Sequence, residues 1–171
     1  MRLPLFILTL MMGWQPAWAA ELPFKRLVVA DPRLARLLAD GYQRSDTLRH
    51  LMQQVEDSGW IVFVIAGPCP IKGVTGCLLH TVGVFDGQSY LRLLVQMQER
   101  HPDTVLVTVA HELQHALEVA TSDGAHDAAS VTALFRRIAS STTHIRGSTV
   151  YETRAARLIE QQVRRDLARR H

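Results

Sequence analysis

The sequence lacks several features that would assign a protein to a class at once. It contains only two cysteines, and neither sign of charge dominates, since 19 basic residues stand against 16 acidic ones. Nucleic acids attract strongly basic surfaces, so this balance gives no reason to expect a nucleic-acid partner. Internal repeats, low-complexity tracts and linkers are also absent from the 171 residues, which predicts a single domain with a hydrophobic core.

Long apolar runs are scarce as well, and the only one lies at the start of the sequence. Arg2 is followed by an apolar stretch over residues 3–14 and then by Ala17-Trp18-Ala19, the pattern of a secretory signal with a small-residue cleavage site. We therefore predict a signal peptide over residues 1–19 and an exported domain, periplasmic or secreted, over residues 20–171. The apolar stretch is short for a bilayer-spanning helix, so we expect no stable membrane insertion after cleavage.

The two cysteines lie close together in the sequence. Cys69 and Cys77 flank P-I-K-G-V-T-G, a segment rich in turn-forming residues. In an exported chain such a pair favours a disulfide, which would stabilise the fold by about 2–3 kcal/mol if it acts by restricting the unfolded chain. The alternative is that one of the two thiolates binds a metal.

Periodic patterns divide the rest of the chain into helices and strands. Apolar residues at helical spacing predict helices, with Asp31 and Ser45 capping the first two, over 32–38, 46–57, 105–120, 127–139 and 149–169. Runs of β-branched and aromatic residues predict strands over 60–65, 76–84 and 90–97, with a hairpin turn at 85–88. The expected fold is α+β, with a small, largely antiparallel sheet packed on the helix over 105–120 and on the C-terminal helix.

The helix over 105–120 contains the sequence's one H-E-x-x-H motif, at residues 111–115. Pro102-Asp103 supplies a start signal with Asp103 as the expected N-cap. Valine, leucine, alanine and threonine cover nearly every side of this helix, which is typical of a buried helix. Burying ionisable side chains in such a helix is unfavourable unless they are paired or bound to a metal. The position of the motif in a buried helix therefore favours a metal-binding role over a chance occurrence of the sequence.

The spacing of the motif suits metal-assisted hydrolysis. His111 and His115 lie one helical turn apart on the same face, where two imidazoles can bind one Zn²⁺ at about 2.0–2.1 Å. Glu112 lies about 100° around the helix from His111. It can therefore reach a water on the metal without binding the metal itself, as a general base requires.

A catalytic zinc also needs a third protein ligand and an open position. A continued motif of the metzincin type would need Gly and His where this chain has Glu118 and Thr121, so that class is excluded. Glu152 is the better candidate, at the start of the predicted C-terminal helix and followed by small residues that permit close helix packing. The alternative reading of Glu152 is an acidic residue placed at a helix N-terminus because the helix dipole favours it there.

H-E-L-Q-H-A-L-E at 111–118, followed by Y-E-T-R-A-A at 151–156, resembles the gluzincin zinc metallopeptidases, particularly their small single-domain members. The resemblance implies a minimal zincin-like core with zinc held by His111, His115 and Glu152, and Glu112 as catalytic base. It also implies that the edge strand of the sheet holds a peptide or protein substrate in extended form. The N-E-x-x-x-x-D signature of the large thermolysin-like enzymes is absent. By residue type alone, the candidates for stabilising the oxyanion are His126, His144 and Tyr151.

Two other readings remain open. Gly76-Cys77-Leu78 upstream of H-E-x-x-H matches a peptide-deformylase-like site, in which Cys77 would supply a thiolate ligand, although an exported chain favours its pairing with Cys69. In a non-catalytic, zinc-stabilised binding module, Glu118 or His144 would supply a fourth ligand. The expected function remains an exported zinc-dependent metallopeptidase.

Overall fold

Helices and strands are interspersed along residues 22–169, the part of the chain that the computed structural model describes. The predicted α+β class is confirmed, and the predicted signal peptide over 1–19 lies outside the described residues. None of the described helices is long and apolar enough to cross a membrane. In chain order, the elements are β1 Leu27–Val29, α1 Pro32–Arg44, α2 Asp46–Asp57, β2 Ile61–Ala66, β3 Gly76–Phe85, β4 Gln88–Val95, α3 Pro102–Ala120, α4 Ala128–Ile138, β5 Ser141–Ile145, β6 Ser148–Glu152 and α5 Arg154–Ala168.

The main sheet has four strands in the order β1-β2-β4-β3, which leaves β3 at an edge. β3 and β4 form the predicted antiparallel hairpin, whereas β2 pairs in parallel with both β1 and β4. At the hairpin turn, Asp86 and Gly87 adopt left-handed conformations with φ of 50° and 74°, the arrangement that matches strand twist. The three-residue strand β1 was not predicted, because so short a run carries no readable alternation.

One face of the sheet packs against the helices to form the core. Alternate residues of β2 and β4 have at most 1% of their surface exposed, namely Val62, Val64, Leu91, Leu93 and Val95. The facing side of α3 is equally buried through residues that include Leu106, Val109 and Leu113. The predicted burial of the motif helix is therefore confirmed, and the motif side chains are held at the centre of the domain.

Helix α1 is longer than predicted and continues through Gly41 to Arg44. A Cβ at position 41 would lie 2.6 Å from a methyl carbon of Leu106, so the glycine serves close packing of α1 on α3 and does not end the helix. The prediction of Asp103 as N-cap of α3 is also wrong. The cap is His101, whose Nδ1 accepts the Asp103 N–H at 3.3 Å, while the Asp103 carboxylate binds Arg44.

The largest difference from prediction lies between α4 and α5. Residues 140–148 were expected to be a connection and 149–169 a helix, but the chain forms the antiparallel hairpin β5–β6 first. The strand sequences S-T-T-H-I and S-T-V-Y-E are rich in β-branched and aromatic residues, and Arg146-Gly147 adopts the left-handed turn between them. Helix α5 begins only at Arg154 with Thr153 as its N-cap. The placement of Glu152 at a helix start was therefore wrong, because Glu152 is the last residue of β6.

Gly76 allows β3 to lie directly on α3. A Cβ at this position would lie 2.3 Å from Thr108 Cγ2 and 3.1 Å from Glu112 Cγ. We expect Gly76→Ala to lower the free energy of unfolding by about 1–3 kcal/mol, because the added methyl group forces strand and helix apart. Urea unfolding measures the change, with Gly67→Ala as the matched control, since a Cβ there meets nothing within 4 Å. Equal stability of the two variants would contradict the close contact.

Candidate metal centre

The three predicted ligands lie together in the lining of one cavity. His111 and His115 project from one face of α3, and Glu152 reaches them from the end of β6. His111 Nε2 lies 3.1 Å from His115 Nε2 and 3.3 Å from Glu152 Oε1, and His115 Nε2 lies 3.9 Å from the same oxygen. One ligand atom from each residue falls within 4.8 Å of the others. Glu152 therefore lies where the third ligand was predicted, although it belongs to a strand and not to a helix.

These distances suit a bound cation. Three ligands at tetrahedral angles around one ion, with bonds of about 2.0–2.1 Å, lie roughly 3.3–3.4 Å from one another. In addition, Glu152 Oε1 is a buried oxygen whose contact with His111 Nε2, at 3.3 Å, lacks the geometry of a hydrogen bond, and it forms no hydrogen bond with any other of the described residues. A buried acceptor without a donor is unfavourable, and a cation at this position would satisfy it. The group of His111, His115 and Glu152 could therefore hold a metal ion.

The outer nitrogen of each imidazole faces a carboxylate. His115 Nδ1 lies 2.9 Å from Glu118 Oε2, and His111 Nδ1 lies 3.3 Å from Glu160 Oε2 on α5. Carboxylates in this position orient metal-binding histidines and keep the Nε2 lone pair directed at the ion. Glu118 is therefore not placed as a fourth ligand, because its carboxylate lies on the far side of the His115 ring.

His144, the other candidate fourth ligand, is exposed on β5 and contacts Thr149 Oγ1 through its Nδ1. It does not belong to the cluster of possible metal ligands within residues 22–169. Three possible protein ligands therefore come together here, and all three line a cavity.

The charges of the cluster are set by burial and by its own partners. Burial alone would lower the pKa of His111, but the contact with Glu152 and the charges of Glu112, Glu152 and Glu160 raise it overall. Burial would likewise raise the pKa of Glu152, yet its contact with His111 and nearby positive charges lower it. Without a metal, the neighbouring carboxylates thus favour the protonated form of His111. A metal ion would displace that proton.

Glu112 contacts strand β3 and lines the same cavity as the three possible ligands. Its Oε2 accepts a hydrogen bond from the backbone N–H of Leu78 at 2.8 Å, and only 7% of the residue is exposed. Burial raises the pKa of Glu112, and the two histidines and the Leu78 N–H offset only part of this effect. The result is a carboxylate with an increased affinity for a proton, fixed beside the three ligands but separate from them.

The cavity next to the cluster has a volume of about 360 Å³. Edge strand β3 and strand β6 contribute to its lining, and its apolar lining residues are Ile71, Val74, Leu78, Val107, Phe135 and Val150. Of the candidates for oxyanion stabilisation, Tyr151 lines this cavity, whereas His126 and His144 are exposed elsewhere. The cavity therefore combines apolar side chains with the polar side chains of the cluster and its neighbours.

His80 also lines the cavity, although the sequence analysis did not single it out. Its ring stacks on Phe135 at 5.2 Å between centroids, and its Nδ1 lies 3.1 Å from Thr132 Oγ1. Burial lowers the pKa of His80. The available signal was strand alternation, since His80 follows Leu78 by two positions and therefore points to the same side of β3.

Cys69 and Cys77 form a disulfide, as predicted, with their Cα atoms 6.0 Å apart. Cys77 therefore has no thiolate to offer a metal, which argues against the deformylase-like arrangement. The bond ties the loop before β3 to the strand whose next residue, Leu78, holds Glu112.

The raised pKa of Glu112 predicts that the free energy of unfolding of the metal-free protein depends on pH. The native state binds this proton more tightly than the unfolded chain, so stability falls as pH rises from about 4.5 through the native pKa. We expect metal-free wild type to lose stability relative to Glu112→Gln as pH rises above about 4.5, because glutamine has no proton to lose. Below pH 4 the difference in stability between the two proteins should no longer change with pH. Urea unfolding with a chelator from pH 4 to pH 7 tests this, with exposed Glu99→Gln as control. A difference between Glu112→Gln and wild type that stays constant over this range contradicts it.

Comparison of the chain with protein-family models, with curated proteins and with solved structures yields no match. Fold alone does not determine chemistry in any case. The function is therefore argued from the geometry of the site residues and from the physical properties of their side chains.

Proposed function

We propose that this protein is a zinc-dependent hydrolase, and specifically a metallopeptidase. The observation that carries the proposal is the convergence of two imidazole nitrogens and one carboxylate oxygen beside an open cavity, with a separate buried carboxylate next to them. Two nitrogens and one oxygen from protein, plus an open position, are typical of catalytic zinc sites. A structural zinc site would be expected to have four protein ligands instead.

Glu112 would act as the general base. When bound, zinc would polarise the substrate carbonyl and lower the pKa of a water toward 7. Glu112 Oε2 is anchored by Leu78, so the carboxylate is held in one orientation. Glu112 would take a proton from the water as the water oxygen attacks the substrate carbonyl carbon. It would then deliver that proton to the nitrogen of the leaving amine as the C–N bond breaks. Its raised proton affinity suits both halves of this transfer.

A peptide is the substrate that best suits the cleft. β3 is an edge strand along one wall of the cavity, and an extended peptide can add to such an edge through main-chain hydrogen bonds. The apolar lining from Ile71, Val74 and Val107 would accept a hydrophobic side chain near the bond to be cleaved. Substrate main chain and side chain would then both be held next to Glu112.

Export is part of the same proposal. The Cys69–Cys77 disulfide is typical of oxidising compartments, and the sequence predicts a cleavable signal over residues 1–19. An enzyme of this kind would act on peptides in the periplasm or outside the cell.

The metal ligands can be tested by substitution. We expect Glu152→Ala to weaken zinc binding strongly, because it removes the only carboxylate of the cluster. The double variant Cys69→Ser/Cys77→Ser should retain zinc affinity and lose only about 2–3 kcal/mol of stability, from the missing cross-link. Competition with a chromophoric chelator measures the affinity, and thermal unfolding measures the stability. Loss of zinc in the cysteine variant with full binding in Glu152→Ala would favour a thiolate ligand instead.

The role of Glu112 predicts a separation of binding from catalysis. Glu112→Gln keeps the size of the side chain and can still accept the Leu78 N–H, but it can no longer accept the proton of the water. We expect zinc to remain bound while the cleavage rate falls by about 10²–10⁴-fold. A peptide-library digest followed by mass spectrometry, with metal content measured on the same samples, gives both quantities. Cleavage by this variant at the wild-type rate would disprove the mechanism.

A further inference from the structure

Glu118 has two partners that belong to different parts of the site. Its Oε2 lies 2.9 Å from His115 Nδ1, and its Oε1 accepts a hydrogen bond from Thr153 Oγ1 at 2.7 Å. The side chain is 12% exposed, so water contributes little to its solvation. Both carboxylate oxygens are therefore engaged, one by a predicted metal ligand and one by the residue that follows Glu152.

Thr153 is itself held on its other side. Its hydroxyl oxygen accepts the Ala156 N–H at 3.1 Å as the N-cap of α5, and only 2% of the residue is exposed. Because the single hydroxyl proton goes to Glu118, the cap and the carboxylate determine the position of Thr153 together. Glu152 precedes it directly, so the backbone that carries the third ligand is attached to α3 at this point.

We propose that Glu118 is a positioning residue that aligns His115 and Glu152 at the same time. By accepting from Nδ1, it keeps the His115 proton on the outer nitrogen and the Nε2 lone pair directed at the metal. By accepting from Thr153, it holds the end of β6 where the Glu152 carboxylate reaches the same point. This inference rests on the metal-binding part of the proposed function and does not depend on hydrolysis.

Glu160, the corresponding partner of His111, is less suited to such a role. Its contact with His111 Nδ1 is longer, at 3.3 Å, and its other oxygen binds the exposed Arg164 at 2.9 Å. It therefore connects one ligand to the surface, whereas Glu118 connects two ligands to each other.

Glutamine at position 118 tests the proposal, because it has the size of glutamate but one acceptor oxygen in place of two. It can accept from His115 or from Thr153, and its amide nitrogen can accept from neither. We expect Glu118→Gln to bind zinc about 10-fold to 100-fold more weakly than wild type, in chelator competition. Thr153→Ser, which retains the hydroxyl, should bind zinc like wild type, and Thr153→Val should bind it more weakly.

The combined variant Glu118→Gln/Thr153→Val separates coupled from independent effects. If Thr153 acts through Glu118, the combined loss of affinity is smaller than the product of the two single losses. Nitrogen-15 NMR of the metal-free proteins gives a second readout, since the His115 Nδ1–H signal should shift or disappear in Glu118→Gln. Circular dichroism checks that every variant retains its helices.

Three results would overturn the inference. Wild-type zinc affinity in Glu118→Gln, multiplicative losses in the combined variant, or an unchanged His115 Nδ1–H signal would each show that Glu118 does not align both ligands. If wild type itself binds no zinc, the proposed function fails together with this inference. If wild type binds zinc but cleaves no peptide, the proposed hydrolysis fails while the role of Glu118 stands.

Discussion

The structure depends on satisfying ionisable side chains buried on helix α3. His111, Glu112, His115 and Glu118 lie within two turns of a helix whose remaining inner surface is apolar. Unpaired, such groups would destabilise the core. Their partners come from different elements. The Leu78 N–H of β3 binds Glu112, and Glu152 of β6 contacts His111. Thr153, the N-cap of α5, binds Glu118, and Glu160 of α5 contacts His111. The edge strand, the hairpin and the last helix are therefore placed by the same polar requirements that form the site.

The sequence could predict those parts of the site that depend on local spacing. H-E-x-x-H places two imidazoles on one helical face in any sufficiently regular helix, and only seven residues separate the two cysteines, which leaves few ways to arrange the segment between them. Glu152 was identified because the chemistry needed one more ligand, although its local structure was predicted wrongly. Glu152 belongs to a strand because the short hairpin β5–β6 forms. Each strand of this hairpin has only five residues, which is too short for a clear sequence pattern.

The features that were missed depend on tertiary contacts. His101 caps α3 because Arg44, distant in sequence, binds the Asp103 carboxylate that would otherwise compete for the cap. Gly41 continues its helix because Leu106 packs closely against it, which no local pattern reveals. Likewise, the partnership of Glu118 with Thr153 joins residues 35 positions apart. Sequence periodicity identifies which face of an element is buried, but not which residues of another element meet it there.

The hydrogen bond between Leu78 and Glu112 has a consequence for any peptide that adds to the edge of β3. A strand edge normally presents its donors at every second residue. Here the Leu78 donor is already engaged by Glu112, the proposed general base, so the row of main-chain bonds to an incoming strand has a gap at that residue. A bound peptide would pair on either side of this gap and span it unpaired. The interruption would thereby fix the register of such a peptide, and the peptide unit that spans it would be the one facing Glu112.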